Sequence, residues 1–319
     1  MQASADSLQP LEPGITYRFE LNDHDVHSFS SPISGNVRVV VENLERGTFL
    51  ICLDQNGDRQ LRTANWRGPE HWHSAVLEIE SGATFQIVPD EAVAPSGEYQ
   101  ITLSRYETNE PLYAAELAMS TGADLYSRHF FGEADARGAA LEEFQAAAKK
   151  FAAGGEKSRQ ADALFEAASV SFELGDMQSA YAQLLAAEAL WTELIDLRGI
   201  AAGENLRGII SRQTADAIDP DPSVTALSLL ESAAERRREL GDTFFYAQAL
   251  NNLGLVYRDL GDAWLARQFF EQALQIWQGD IDLVNAALPL SNYDGDGKPP
   301  WLMHSVIAMQ NLGWAYEYT

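Results

Sequence analysis

The chain has 319 residues, long for a single core, so two domains, or one domain followed by an array, is the expected organisation. Hydrophobic residues make up 46% and charged residues 22%, values that exclude a disordered chain. Against 22 Lys and Arg stand 47 Asp and Glu, a formal net charge of −25. Such a surface repels phosphate backbones and anionic membrane faces. The longest basic run, Arg236-Arg237-Arg238, is hemmed in by Glu235 and Glu239, so neither nucleic acid nor membrane insertion is expected. A single cysteine, Cys52, excludes an internal disulfide and any Cys-based zinc cluster. The opening MQASADSLQP has no apolar signal-peptide core, which fits a cytoplasmic protein, or a periplasmic one whose export signal has been removed.

From Leu11 to Arg105 the pattern has period two. Segments Ile15 to Leu21, Val26 to Ser30, Asn36 to Glu42, Thr48 to Asp54, Ala75 to Glu80, Thr84 to Pro89 and Glu98 to Tyr106 are rich in β-branched and aromatic residues. Turn formers such as Pro13-Gly14, Asn56-Gly57 and Ser81-Gly82 separate them. Seven or eight short strands with regular turns predict an antiparallel β-sandwich over residues 1–107. Val37, Val39 and Val41 alternate with Arg38, Val40 and Glu42, which predicts one buried and one mixed face.

After Thr108 the texture is helical and alanine-rich. Amphipathic helices are expected over Leu112 to Phe131, Ala139 to Ala153, Ser158 to Leu174, Ser179 to Leu194, Gly199 to Ala217, Ser223 to Leu240, Thr243 to Leu260 and Ala263 to Gln278. Gly175-Asp176, Gly241-Asp242 and Gly261-Asp262 punctuate them as helix ends followed by turns. The clearest repeat starts at Ala247, with small residues Gly254, Ala266 and Ala273 where paired helices must approach. Leu250, Leu253, Tyr257 and Phe270 supply the bulk between them. These offsets are those of a tetratricopeptide repeat, so residues 108–319 are read as an all-α tetratricopeptide solenoid. Earlier units carry Leu164, Ala168, Ala180, Leu184 and Ala187, with Ser171 in place of the aromatic, and Ala140, Phe144 and Ala147. Residues Ile200 to Ala233 read as a degenerate unit with Arg207 at the small position. Val306, Met309, Leu312, Gly313 and Tyr316 restart the pattern with no second helix after them, which suggests a piece of a longer protein.

The opening LEPGITYRFEL, then GNVRVVVE, LDQNG and APSGEYQITLSRYE, resembles the pre-peptidase-like β-sandwich found ahead of bacterial tetratricopeptide arrays. Its join to ALNNLGLVYRDLGDAWLARQFFEQALQIW is similar in domain order to the N-terminal part of CHAT-domain proteins. That resemblance implies a caspase-like protease domain in cis, whose His/Cys dyad would lie beyond residue 319, so no catalytic residue carries over.

Candidate chemistry follows the residue types. Cys52 lies among Leu50, Ile51 and Leu53 and reads as a buried structural thiol rather than a nucleophile. His71 and His73 share a strand face and could chelate a metal with His24, His27, Asp23 and Asp25, although a solvated loop anchored by Trp72 is the preferred reading. Asn292, Asp294, Asp296 and Gly297 match the first half of a calcium loop, but the glutamate position is Met303 and Pro299-Pro300 stiffen the rest. No cofactor is expected. Trp66 and Trp72 flank a Gly68-Pro69 turn and could stack on a sugar or on the neighbouring array, the latter being the preferred reading. The preferred site is the inner face of the helical array: Gln248, Asn251, Leu255 and Arg258, then Ile307, Gln310, Trp314 and Glu317. Amide and guanidinium groups on rigid helices suit a protein or peptide partner, neutral or basic given the charge. The expected function is a non-enzymatic interaction and regulatory module; the alternative is an envelope module that binds carbohydrate or metal through the sandwich loops.

Overall fold

The computed structural model describes residues 8–22, 26–43, 48–57, 59–64, 72–80, 82–89, 96–130, 136–214, 222–285 and 311. Among them nine strands precede eight helices. The strands are β1 (Gln9–Pro10), β2 (Thr16–Asn22), β3 (His27–Ser30), β4 (Gly35–Asn43), β5 (Thr48–Leu53), β6 (Arg59–Ala64), β7 (Trp72–Ile79), β8 (Thr84–Pro89) and β9 (Ser96–Arg105). The helices are α1 (Tyr113–Phe130), α2 (Arg137–Gly154), α3 (Lys157–Glu173), α4 (Met177–Leu194), α5 (Leu197–Gln213), α6 (Pro222–Glu239), α7 (Thr243–Asp259) and α8 (Ala263–Asn285). The last runs beyond its expected end at Gln278. Gly279 does not stop it, because one interior glycine costs only about 1 kcal/mol. Contacts divide the chain into two compact units, Met1–Glu156 and Lys157–Thr319.

In the first unit the strands form two sheets, ordered β1-β3-β8-β5-β6 and β2-β9-β4-β7. All pairs are antiparallel except β1 with β3. Val37, Val39 and Val41 are fully buried, while Arg38 and Val40 are half-buried and Glu42 is exposed, as the alternation requires. Both sheets feed one apolar cluster: Phe29, Leu50, Phe85 and Ile87 from the first, Val39, Leu77, Tyr99 and Ile101 from the second. Strand β6, whose sequence RQLRTA lacks alternation, is held by pairing with β5 across a register shift at Cys52/Leu53 and sends Leu61 into that cluster.

Strand β7 is an edge of its sheet and would leave a row of backbone groups unpaired. Helix α1 covers it. Ser120 Oγ accepts the Val76 N–H at 2.9 Å, and Glu116, which is buried, pairs with Arg38 Nε at 2.8 Å. Tyr113 donates its hydroxyl to Asn36 Oδ1 at 2.9 Å. Ser74 and Val76, on the face of β7 away from the two-sheet core, are buried in consequence.

Each helical hairpin is built the same way. The second helices carry a buried alanine, a large residue four positions on, and another alanine three further: Ala140-Phe144-Ala147, Ala180-Leu184-Ala187, Ala226-Leu230-Ala233 and Ala266-Phe270-Ala273. Opposite the large residue the first helix has no room for bulk. A Cβ on Gly122 would lie 2.8 Å from Phe144, on Gly208 2.7 Å from Leu230, and on Gly254 2.5 Å from Phe270. In α3 the place is held by Ala168, packed with Ala180 and Leu184. The expectation that Arg207 occupies the small position is therefore corrected by one residue: Gly208 holds it, and Arg207 pairs with Glu188 of α4 at 2.9 Å. The unit over α5 and α6 is regular once read in that register.

Gly254→Ala and Gly208→Ala should each lower the unfolding free energy by about 1–3 kcal/mol, because the added methyl meets a packed side chain. Gly138→Ala, where a Cβ would meet nothing within 4 Å, is the control and should be neutral or stabilising. Urea unfolding midpoints of the three variants check this; equal midpoints would refute the close-approach account.

Candidate functional site

Fixing the register on Gly208 and Gly254 aligns two rows of side chains. Asn205, Ile209 and Arg212 on α5 stand at the same offsets from Gly208 as Asn251, Leu255 and Arg258 do from Gly254 on α7. The rows are bonded across the helices. Asn252 donates its amide to Asn205 Oδ1 at 3.0 Å, and Asn311 donates to Asn251 Oδ1 at 3.2 Å. Asp259 joins the arginines: its Oδ2 accepts from Arg212 Nη1 at 2.6 Å, and its Oδ1 from Arg258 Nε and Nη2 at 3.2 and 3.1 Å. Two cations of one face thus share an anion, which holds both guanidinium planes in place without cancelling their charge.

The expected site residues fall as follows. Gln248 and Arg258 are half-buried and keep accessible surface. Leu255 is half-buried and packs against the cluster of Ala266 and Phe270, so it serves the hairpin as well as the face. Asn251 is buried, with its amide oxygen engaged by Asn311. Ile307, Gln310, Trp314 and Glu317 lie outside the described residues. Sequence reasoning missed Asn205, Arg212, Asn252 and Asp259. The first two were legible at the offsets of Asn251 and Arg258 had the register been set on Gly208 instead of Arg207.

Beside this face, Tyr257 stacks on Phe269 with ring centroids 5.4 Å apart and planes 7° from parallel. Burial, then the charges of Glu231 and Asp262, push its hydroxyl up from the usual phenol range, so it remains a neutral donor. On the α4 side Glu188 is pushed up by burial, with Arg207 opposing and Glu204 adding to the shift. Glu204 itself accepts from Ser232 at 2.9 Å and pairs with Arg236 at 3.0 Å.

Elsewhere the candidates separate. Cys52 is fully buried, and burial, with the Asp54 carboxylate adding, pushes its thiol up to about 12. A thiol held so firmly protonated is no nucleophile at neutral pH. His27 Nδ1 lies 2.7 Å from the Tyr99 hydroxyl, within a ring cluster of Phe19, Phe29 and Tyr99. His24, Asp23, Asp25, His71, Trp66 and the calcium-like segment at Asn292, Asp294, Asp296 and Gly297 lie outside the described residues, as do the side chains of Trp72 and His73. Among the described residues no helix is long and apolar enough to cross a membrane.

The tetratricopeptide repeat family model matches residues 224–279, spanning most of α6, all of α7 and the first part of α8. The chain therefore contains a tetratricopeptide-repeat region, of the type that serves protein–protein interaction, preceded by a β-rich region of two sheets. No curated protein matches the chain. Among solved structures it is similar to BtubC from P. vanneervenii, at 18% identity over 66% of this chain and 76% of that one, with a TM-score of 0.48. It is similar also to a thermophilic TPR protein in Thermus thermophilus, at 19% identity over 64% and 91% with a TM-score of 0.38. MamA protein matches at 16% identity over 64% and 91%, with a TM-score of 0.37.

Cys52 should resist alkylation in the folded protein and react fully once urea unfolds it. Mass spectrometry of iodoacetamide-treated samples reads this, and rapid labelling of the native chain at neutral pH would contradict the burial argument.

Proposed function

We propose that the face shared by α5 and α7 binds a segment of a partner protein, and that the chain acts through this contact without catalysis of its own. The observation that carries the reading is the repetition of one residue set, asparagine, aliphatic and arginine, at matching positions of two successive first helices. The close packing of each hairpin is supplied by Gly208, Gly254 and the alanines, so the asparagine and the arginine are not its packing residues. Rigid helices hold the amides and guanidiniums at fixed spacing, so a partner loses little of its binding energy to ordering the site. Gln248 and Arg258 keep the exposed surface such a partner would meet.

The finer reading is that the two sheets form a β-sandwich of the pre-peptidase-like kind and the helices a tetratricopeptide solenoid, with residues 1–107 and 108–319 as the two domains. The partner segment is neutral or basic, favoured by the net charge of −25. Resemblance in domain order supports regulation of a CHAT-type protease domain in cis as the biological role.

Gln248→Ala with Arg258→Ala should cut recovery of the protein's partner in pull-downs by at least about tenfold, the loss typical of a truncated contact centre, with the circular-dichroism spectrum unchanged. Undiminished recovery by the folded double variant would remove this face from consideration.

A further inference from the structure

The turn that leads from β5 to β6 contains Asp54, Gln55, Asn56 and Gly57, well apart in sequence from the α5–α7 face. Asn56 and Gly57 are both exposed, and Gly57 lies in the left-handed region at φ +87. A Cβ built on Gly57 would meet nothing within 4 Å, so no side chain, its own or a neighbour's, crowds that part of the backbone. An asparagine followed by such a residue carries a reactive pair. Its side-chain Cγ lies within ring-closing reach of the next backbone nitrogen, and only glycine leaves that nitrogen open to it.

Asp54 works against the ring closure. Its Oδ1 accepts the Asn56 N–H at 2.8 Å, its backbone O accepts the Gly57 N–H at 3.1 Å, and Gln60 Nε2 reaches its Oδ2 at 3.4 Å. The attacking nitrogen is thereby engaged as a donor, and its loss of a proton would set a negative charge in the same turn as a carboxylate.

We propose that Asn56 is a site of spontaneous covalent modification, its amide converting to aspartate or isoaspartate through a succinimide, with Asp54 setting the rate by holding the turn closed. Gly57 N bonds to Asn56 Cγ, the bond from Cγ to the amide nitrogen breaks, and ammonia leaves with the proton that Gly57 N gives up. Water is the co-reactant of the second step and opens the imide. Cleavage at Cγ gives aspartate; cleavage at the backbone carbonyl carbon gives isoaspartate. No electrons are transferred. The aspartate product keeps the main chain and adds a negative charge beside Asp54. The isoaspartate product routes the main chain through Cγ, which lengthens it inside a turn whose ends are fixed by Leu53 pairing with Arg59. Strand β6 ends its sheet and pairs only with β5, so that pairing takes the distortion, and the burial of Leu61 with it.

Peptide mapping by mass spectrometry of the full chain, stored at mildly alkaline pH in heavy-oxygen water, tests this. Residue 56 should convert with time, take up heavy oxygen and elute as two products, aspartate and isoaspartate. Asp54→Ala should convert about tenfold faster, the factor that one hydrogen bond to a charged group is worth. Asp54→Asn, which keeps a side-chain acceptor without the charge, should fall between it and the wild type. The isoaspartate fraction should unfold at lower urea than fresh protein, whereas Asn56→Asp, which carries the charge without the longer main chain, should stay close to it. Asn56→Gln, whose side chain closes a ring far more slowly, is the blank. An Asn56 amide as durable as that blank, or an Asp54→Ala protein that converts no faster than the wild type, overturns the proposal.

Discussion

The helical part depends on how closely two backbones can approach. A first helix comes within packing distance of its partner only where it has no side chain to push it away. The glycines at 122, 208 and 254, and Ala168, supply that gap opposite Phe144, Leu230, Phe270 and Leu184. The large residue then fits against bare backbone, and the alanines four before and three after it keep the second helix seated. This geometry fixes more than a hairpin. Once one residue of each first helix is pinned, every other residue has a set direction, so matching sequence positions in α5 and α7 arrive at matching places. The pairing of asparagines and the sharing of Asp259 between Arg212 and Arg258 follow from that register.

The same logic explains how the β region is joined to α1. In α7, Asn252 reaches the preceding first helix through its amide bond to Asn205. Ser120 stands at the corresponding place on α1, and among the described residues no helix precedes it. Its oxygen instead accepts the Val76 N–H of edge strand β7. The sheet edge takes the role that a neighbouring hairpin plays elsewhere, and one contact solves two problems. The strand loses an exposed backbone donor, and the first helix gains cover for a face that would otherwise be left bare. The buried Glu116 is tolerated because Arg38 lies 2.8 Å away on β4. The first hairpin therefore belongs to the unit ending at Glu156, although the sequence changes texture near residue 107.

Periodic features were legible in the sequence, and pairings between distant residues were not. Alternation located β4, β5, β8 and β9 to within a residue or two, since a half-buried strand writes its two faces into successive positions. It missed β6, whose RQLRTA carries no alternation, although a turn at Asn56-Gly57 demands a strand on both sides. The small-large rule located the hairpins but slipped by one at Arg207. Arg207 and Gly208 are adjacent, and only the approach of Leu230 separates them. Of the α5–α7 face, Gln248, Leu255 and Arg258 could be placed from helical offsets. That Asp259 would bridge to Arg212, or that Asn311 would donate to Asn251, could not, because no local pattern records which side chains meet across helices.

Asp242 shows how such a meeting can override a local rule. Asp176, Asp196 and Asp262 each precede a helix, and each accepts the backbone N–H of the third residue on, at 3.0, 2.9 and 3.0 Å. Asp242 holds the same position before α7 and makes no such bond. Its carboxylate turns instead to Arg237 of α6 and Arg198 of α5. The reason lies in Arg237, which is buried with its guanidinium 4.7 Å from the Phe245 ring centre. A buried cation left without an anion costs far more than a missing cap, whose loss is about 1 kcal/mol. Burial pushes the Asp242 carboxyl up, against the pull of Arg237 and Arg198, which marks how dry the position is. The cap is given up so that one carboxylate can tie α5, α6 and α7 together, and the face built on α5 and α7 inherits its rigidity from that tie.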